Sequence, residues 1–171
     1  MVGGTLHGAR LIADGGERTV LQMGGGLHHA FAGLASGFCI FNDLAVAALY
    51  MLEAALVQRV LIVDLDVHQG DGTSDILKDE PRAFTFSMHG ERNYPVRKIA
   101  SDLDIALPDG TGDAAYLDKL RAILPELSQS RHWDIVFYNA GVDVHAEDKL
   151  GRLALSDDGN TTFASTSPSP V

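Results

Sequence analysis

Cysteine, positive charge and long apolar runs are all scarce in this chain, and each scarcity removes a class of protein. Cys39 stands alone among 171 residues, so no disulfide can close within the chain, which fits a reducing compartment. Lys and Arg number 13 against 23 Asp and Glu, a formal charge of −10 that makes duplex DNA or an anionic membrane a poor direct partner. An acidic surface tolerates a cationic substrate without demanding one. The opening 1-MVGGTLHGAR-10 lacks the basic-then-apolar profile of a signal peptide. The most apolar stretch, 44-LAVAALYMLEAALV-57, is interrupted by Glu53 and is too short to span a bilayer. These absences lead to the expectation of a soluble, cytoplasmic protein. With 46% hydrophobic and 21% charged residues, the composition suits one globular domain with a substantial core.

What is present is an alternation of strand-like and helix-like segments. Residues 18-RTVLQM-23 read as a short strand leading into three glycines. The segment 42–58 is rich in helix formers, has Asn42 or Asp43 as N-cap, and is apolar nearly all round, which implies burial on several sides. The run 59-RVLIVDLD-66 reads as a strand buried on both faces, and 83-AFTFSM-88 and 134-DIVFYNAG-141 as two more. Residues 102–113 suggest a strand and turn whose glycine loop borders the site, and 113–128 an amphipathic helix. Trp133 and His132, just ahead of the last strand, read as packing and surface residues. Such alternation predicts a parallel α/β sheet with helices on both faces and a site just beyond the carboxyl ends of its strands. From 160-NTTFASTSPSPV-171 the hydrophobic period vanishes, so the expected domain is 1–159, followed by a disordered tail where the chain leaves its natural course.

Three polar clusters fall at the expected strand ends. In 64-DLDVHQGDG-72, Asp64, Asp66 and His68 alternate and would project from one side of an extended backbone. Crowding them there is costly unless a cation neutralises them, and oxygen with imidazole suits zinc or a similar first-row metal. The competing reading makes these carboxylates caps of a helix opening near residue 72. In 140-AGVDVHAEDKLG-151, Asp143 stands where a third ligand should come from, whereas His145 and Asp148 suit an ordinary loop. In 24-GGGLHHAF-31, glycines precede His28 and His29. The run fails as a GxGxxG loop because His29 occupies the last glycine position. The histidines suit a general base beside an activated water, with Asp64 and Asp71 as carboxylates to orient them. A structural histidine pair is the alternative. Cys39 reads as a small buried hydrophobe.

Taken in order, GGGLHHA, SGFCIFND, DLDVHQGDGT, FSMHG and AGVDVHAEDKLG closely resemble the histone deacetylase superfamily, which includes acetylpolyamine amidohydrolases and class IV-like bacterial deacetylases. The resemblance covers roughly residues 3–159. It implies an arginase-like three-layer α/β/α fold around a mainly parallel sheet, and zinc-dependent hydrolysis of acyl amides of lysine or polyamines. It matches Asp66, His68 and Asp143 to the zinc ligands. His28 and His29 match the tandem catalytic histidines, with Asp64 behind the first and Asp71 behind the second, the second histidine acting as base. Gly26, Gly37 and Phe38 match a wall of the acyl channel, faced by Tyr94. Asp64, Ser87 and backbone carbonyls near Asp66 and His68 resemble the family's structural potassium site.

Two departures stand against that pattern. Members of the family are considerably longer, and they carry a downstream glycine-rich loop whose tyrosine donates to the oxyanion. The Ser/Thr/Pro stretch stands here instead, so an incomplete domain is expected; losing one oxyanion donor typically costs about 10²–10³ in turnover. Two rival readings follow: a catalytically impaired metal-binding fragment, and an arginase-like binuclear manganese hydrolase. Gly70, two residues after His68, argues against the second.

Overall fold

A computed structural model describes residues 1–165. Helix α1 (Val2–Ala13) and helix α2 (Asp43–Glu53) precede strand β1 (Val60–Asp64), helix α3 (Asp71–Leu77), and strands β2 (Ala83–Gly90) and β3 (Leu103–Leu107). Helix α4 (Asp113–Ser130), strand β4 (Ile135–Asn139) and helix α5 (Asp157–Ser165) complete the order. The strands form one parallel sheet ordered β3-β2-β1-β4.

The sheet is central because β1 is buried at every position, as its β-branched run anticipates. Its side chains alternate between two cores. Val60 and Ile62 pack under α2 with Met51, Leu52 and Phe137, while Leu61 and Val63 pack under α4 with Phe86, Tyr116 and Leu120. Helices therefore cover both faces, giving the three layers expected. Helix α2 starts where Asn42 Oδ1 accepts from the Ala45 N–H at 2.9 Å. It ends earlier than its composition suggests, at Glu53, because the chain reverses through Ala55 in the left-handed region (φ 54°) to enter β1.

Two expectations need correction, and one helix was not foreseen. Residues 18–23 form no strand; Leu21 and Met23 are exposed and Val20 packs instead against α1. Helix α1 was not signalled by a sequence holding Gly3, Gly4 and Gly8. It forms because small residues permit close approach: a Cβ on Gly8 would lie 2.9 Å from Val20 Cγ1. The stretch expected to lack structure from residue 160 begins inside α5, where the Ser156 hydroxyl donates to Asp113 Oδ2 at 2.6 Å and accepts from the Gly159 N–H at 3.2 Å. Residues 166–171 of that stretch lie outside the described ones.

Candidate metal and hydrolytic site

Parallel pairing brings the carboxyl ends of β1, β2 and β4 to one level, with Asp64 in register with Ser87 and Asn139. The segment after β1 carries Asp66 and His68, and the segment after β4 carries Asp143. Their donor atoms all lie within 4.8 Å of one another. His68 Nδ1 sits 3.0 Å from Asp66 Oδ1 and 3.0 Å from Asp143 Oδ2. Four-coordinate zinc with ligands at about 2.0–2.2 Å separates neighbouring donors by roughly 3.4 Å. Small side-chain rotations would bring this set to that spacing. The chemistry agrees with the geometry, since two carboxylates converging on one imidazole nitrogen call for positive charge between them. Burial opposes protonation of His68, but its bonds to Asp143 and Asp66 outweigh burial and lift its pKa to about 9. Burial likewise opposes ionisation of Asp66, yet His68 and His28 hold it below the usual carboxylate range. The residues present thus fit a divalent cation.

The tandem histidines stand beside this cluster, their rings 4.1 Å apart. Each is gripped through Nδ1 by its own buried carboxylate: His28 by Asp64 Oδ2 at 2.5 Å, and His29 by Asp71 Oδ1 at 2.6 Å. Both Nε2 atoms consequently face the opposite way, and His28 Nε2 lies 3.8 Å from Asp66 Oδ1. Burial would depress the His28 pKa, but Asp64, assisted by Asp66 and Asp143, more than reverses it, to about 9. The carboxylates do not cap α3. Asp71 opens that helix yet binds His29, and the N-cap, Gly70, makes no side-chain cap bond.

The loop holding the histidines is ordered by residues that the motif reading passed over. Asp43, fully buried, accepts from the Leu27 N–H at 2.7 Å, the Gly26 N–H at 3.2 Å and the Thr5 hydroxyl at 2.6 Å. Asn42 donates to the carbonyls of His28 and Ala30 at 3.2 and 3.1 Å. Asn139 donates to Asp64 Oδ1 at 2.9 Å, fixing the carboxylate that fixes His28. Asn42 and Asp43 were visible only as helix-capping residues, and Asn139 only as the end of a strand; nothing local marked them as supports. Gly26 has φ 80°, and a Cβ there would overlap the Asn139 amide. Gly37, at φ 50°, would drive a Cβ into the His29 ring.

Around these groups opens a cavity of about 730 Å³. Gly26, Gly37, Phe38 and Tyr94 all line it. The Tyr94 ring meets His29 edge-on at 4.8 Å, and its hydroxyl pairs with the Ser36 hydroxyl at 2.7 Å. Other candidates lie elsewhere. His145 Nε2 pairs with Asp157 at 3.2 Å, and Asp148 Oδ1 accepts from the N–H groups of Leu150 and Gly151 at 2.8 and 2.7 Å, a loop role. Ser87 is adjacent to Asp64 but its hydroxyl pairs with His89 Nδ1 at 3.0 Å. The glycine turn after β3 does not line the cavity; it braces the loop at Arg152, whose carbonyl accepts from the Gly110 N–H at 2.7 Å. Among the described residues no helix is long and apolar enough to cross a membrane.

Known proteins share both pattern and architecture. The Histone deacetylase domain profile matches residues 1–167. An uncharacterised protein of Picosynechococcus sp. is 51% identical over 158 residues, covering 92% of this chain and 52% of its own length. Histone deacetylase 2 of Arabidopsis thaliana is 35% identical over 164 residues, covering 94% of this chain and 42% of its own. The crystal structure of a histone deacetylase homologue from Aquifex aeolicus superposes with a TM-score of 0.84 at 26% identity, over 96% of this chain and 47% of that one. The chain thus spans about half the length of the relatives it matches. Five ordered motifs, a parallel sheet of the same architecture and a profile match over nearly the whole length lead to one conclusion: the chain belongs to the histone deacetylase family.

Proposed function

We propose that this chain carries a zinc site for hydrolysing an acyl amide, an acetyl group on lysine or a polyamine being the expected substrate. The observation that supports this most is the convergence of Asp66, His68 and Asp143 within 4.8 Å, beside two carboxylate-held imidazoles on one cavity wall. When bound, zinc supplies a Lewis acid that polarises the amide carbonyl and acidifies a water.

The chain's own residues then divide the proton work. In this reading the burial of His28 is outweighed by the pull of Asp64, which favours the cationic imidazole, and His28 stabilises the negative charge that develops on the carbonyl oxygen. His29 is the base in this reading, as the family resemblance implies. Asp71 holds its Nδ1, so Nε2 takes the proton of the attacking water and returns it to the departing amine nitrogen. Gly37, Phe38 and Tyr94, which line the cavity, would flank the acyl-bearing chain. Asp64 orients His28 and, with Ser87, would be among the residues holding a structural potassium ion.

Turnover of an acetyl-lysine amide by zinc-loaded protein, abolished by chelation and by Asp66→Ala, is the expected result. Protein that takes up no zinc, or takes up as much after Asp66→Ala, would contradict the ligand assignment. Zinc retained without turnover would favour the impaired metal-binding fragment. A binuclear manganese site finds less support, because Asp66, His68 and Asp143 are the one cluster of three potential donors among the described residues.

A further inference from the structure

Two cations line the cavity that neither the motifs nor the proton chemistry uses. Arg92 and Arg152 stand on its wall beside Asn93 and Leu150. Their side chains are 74% and 54% exposed, against 19% and 21% for Asp66 and Asp143, so the arginines form the mouth and the donors the floor. Both arginines share one carboxylate. Asp109 Oδ2 lies 3.3 Å from Arg152 Nη1 and 3.9 Å from Arg92 Nη1, and Asp109 itself is not on the wall. Among the described residues, the only acidic side chains on that wall are Asp66 and Asp143, both engaged at the floor.

The charged side chains that face the cavity at its mouth are thus two guanidiniums, in a chain whose net charge is −10. It is also held in place. The Arg152 N–H donates to Asn93 Oδ1 at 3.2 Å, Asn93 Nδ2 donates to the Leu150 carbonyl at 2.8 Å, and the Ala154 N–H donates to the Thr111 carbonyl at 2.9 Å. A guanidinium on an anchored backbone offers a planar fork matched to a carboxylate and repels an ammonium.

We propose that Arg92 and Arg152 select acyl amides whose amine portion carries a carboxylate at the cavity mouth, and disfavour acylated polyamines. This rests on the deacylase reading and resolves a choice of substrate that it leaves open. The carboxylate can come from a free acyl-amino acid or from an acidic side chain flanking an acyl-lysine in a peptide.

The test uses zinc-loaded protein and three straight-chain hydroxamates of equal length, ending in carboxylate, carboxamide or ammonium, with affinities measured by calorimetry. The carboxylate probe should bind about 3- to 10-fold more tightly than the carboxamide, the modest advantage of exposed ion pairs, with the ammonium weakest. Raised salt should shrink the difference. An Arg92→Glu/Arg152→Glu variant should reverse the order, and Arg92→Lys/Arg152→Lys should keep it. Equal affinities, or tightest binding of the ammonium, would overturn the selectivity while leaving the deacylase reading intact. If no probe binds, the deacylase reading fails and the inference falls with it. Displacement of the carboxamide probe by Nε-acetyl-lysine identifies the small acid as source, and displacement by an end-blocked Asp-flanked acetyl-lysine peptide identifies the peptide; displacement by neither overturns the proposal.

Discussion

The floor and the mouth of the cavity are built on opposite plans. The floor draws most of its groups from one short stretch, residues 64–71, which runs from the end of β1 at Asp64 through a bent segment carrying Asp66 and His68 to the start of α3 at Asp71. Its charges are partly buried and mutually engaged, and each carboxylate is bound to a histidine. The mouth draws on separated loops at residues 90–95, 108–111 and 150–154, and its charges are exposed and share a single partner. Buried charges depend on each other strongly, whereas exposed ones are screened. Substitutions should therefore have severe effects at the floor and graded ones at the mouth.

The harshest way to break that contrast is to remove a donor. Asp143→Ala should lower zinc affinity by more than the 10–100-fold typical of losing an outer partner, measured as metal retained after dialysis. If Asp143→Ala holds zinc as the parent does, the floor is not the unit described. Next comes His29→Ala, which should keep its zinc yet lose about 10²–10⁴ in turnover, the usual contribution of a general base. An equal loss of zinc in that variant would make His29 a supporting group instead.

Smaller effects probe the supports. Gly26→Ala places a side chain at φ 80° against Asn139 and should cost about 1–3 kcal/mol in thermal or denaturant unfolding. Unchanged stability would mean that the loop relaxes freely. Asn139→Ala deletes a half-buried donor to Asp64 and should cost roughly 1 kcal/mol of stability, reducing turnover more than zinc content. At the mouth, Arg152→Ala should alter affinity for anionic probes only a few-fold, the scale of one exposed ion pair. A mouth substitution that matched Asp143→Ala in metal loss would erase the distinction between the two plans.

Much of the architecture was legible because it follows from periodicity. The unbroken β-branched run of β1, the apolar helix after Asn42 and the alternation of segments led to a parallel three-layer sheet with polar clusters at one end. Where local reasoning missed, a distant partner had the final say. Residues 18–23 have strand-like composition but no neighbour in the ladder, and in α1 the close approach of Gly8 to Val20 and of Gly4 to Gln22 offsets their poor helix propensity. Ser156 and Asp113, 43 positions apart, begin α5 inside a stretch whose composition suggested none.

The amino-acid order alone determined which groups could take part in the chemistry: alternating Asp64, Asp66 and His68, Asp143 beyond another strand, and imidazoles behind glycines. That information is local, because strand alternation and residue chemistry act over a few positions. Only the packed fold decided which atoms meet. Asp43 and Asn139 hold the site through bonds spanning 16 and 75 positions, and Arg92 and Arg152 meet over Asp109 from loops far apart in the chain. Such pairings depend on how the strands and helices stack, which no short segment encodes.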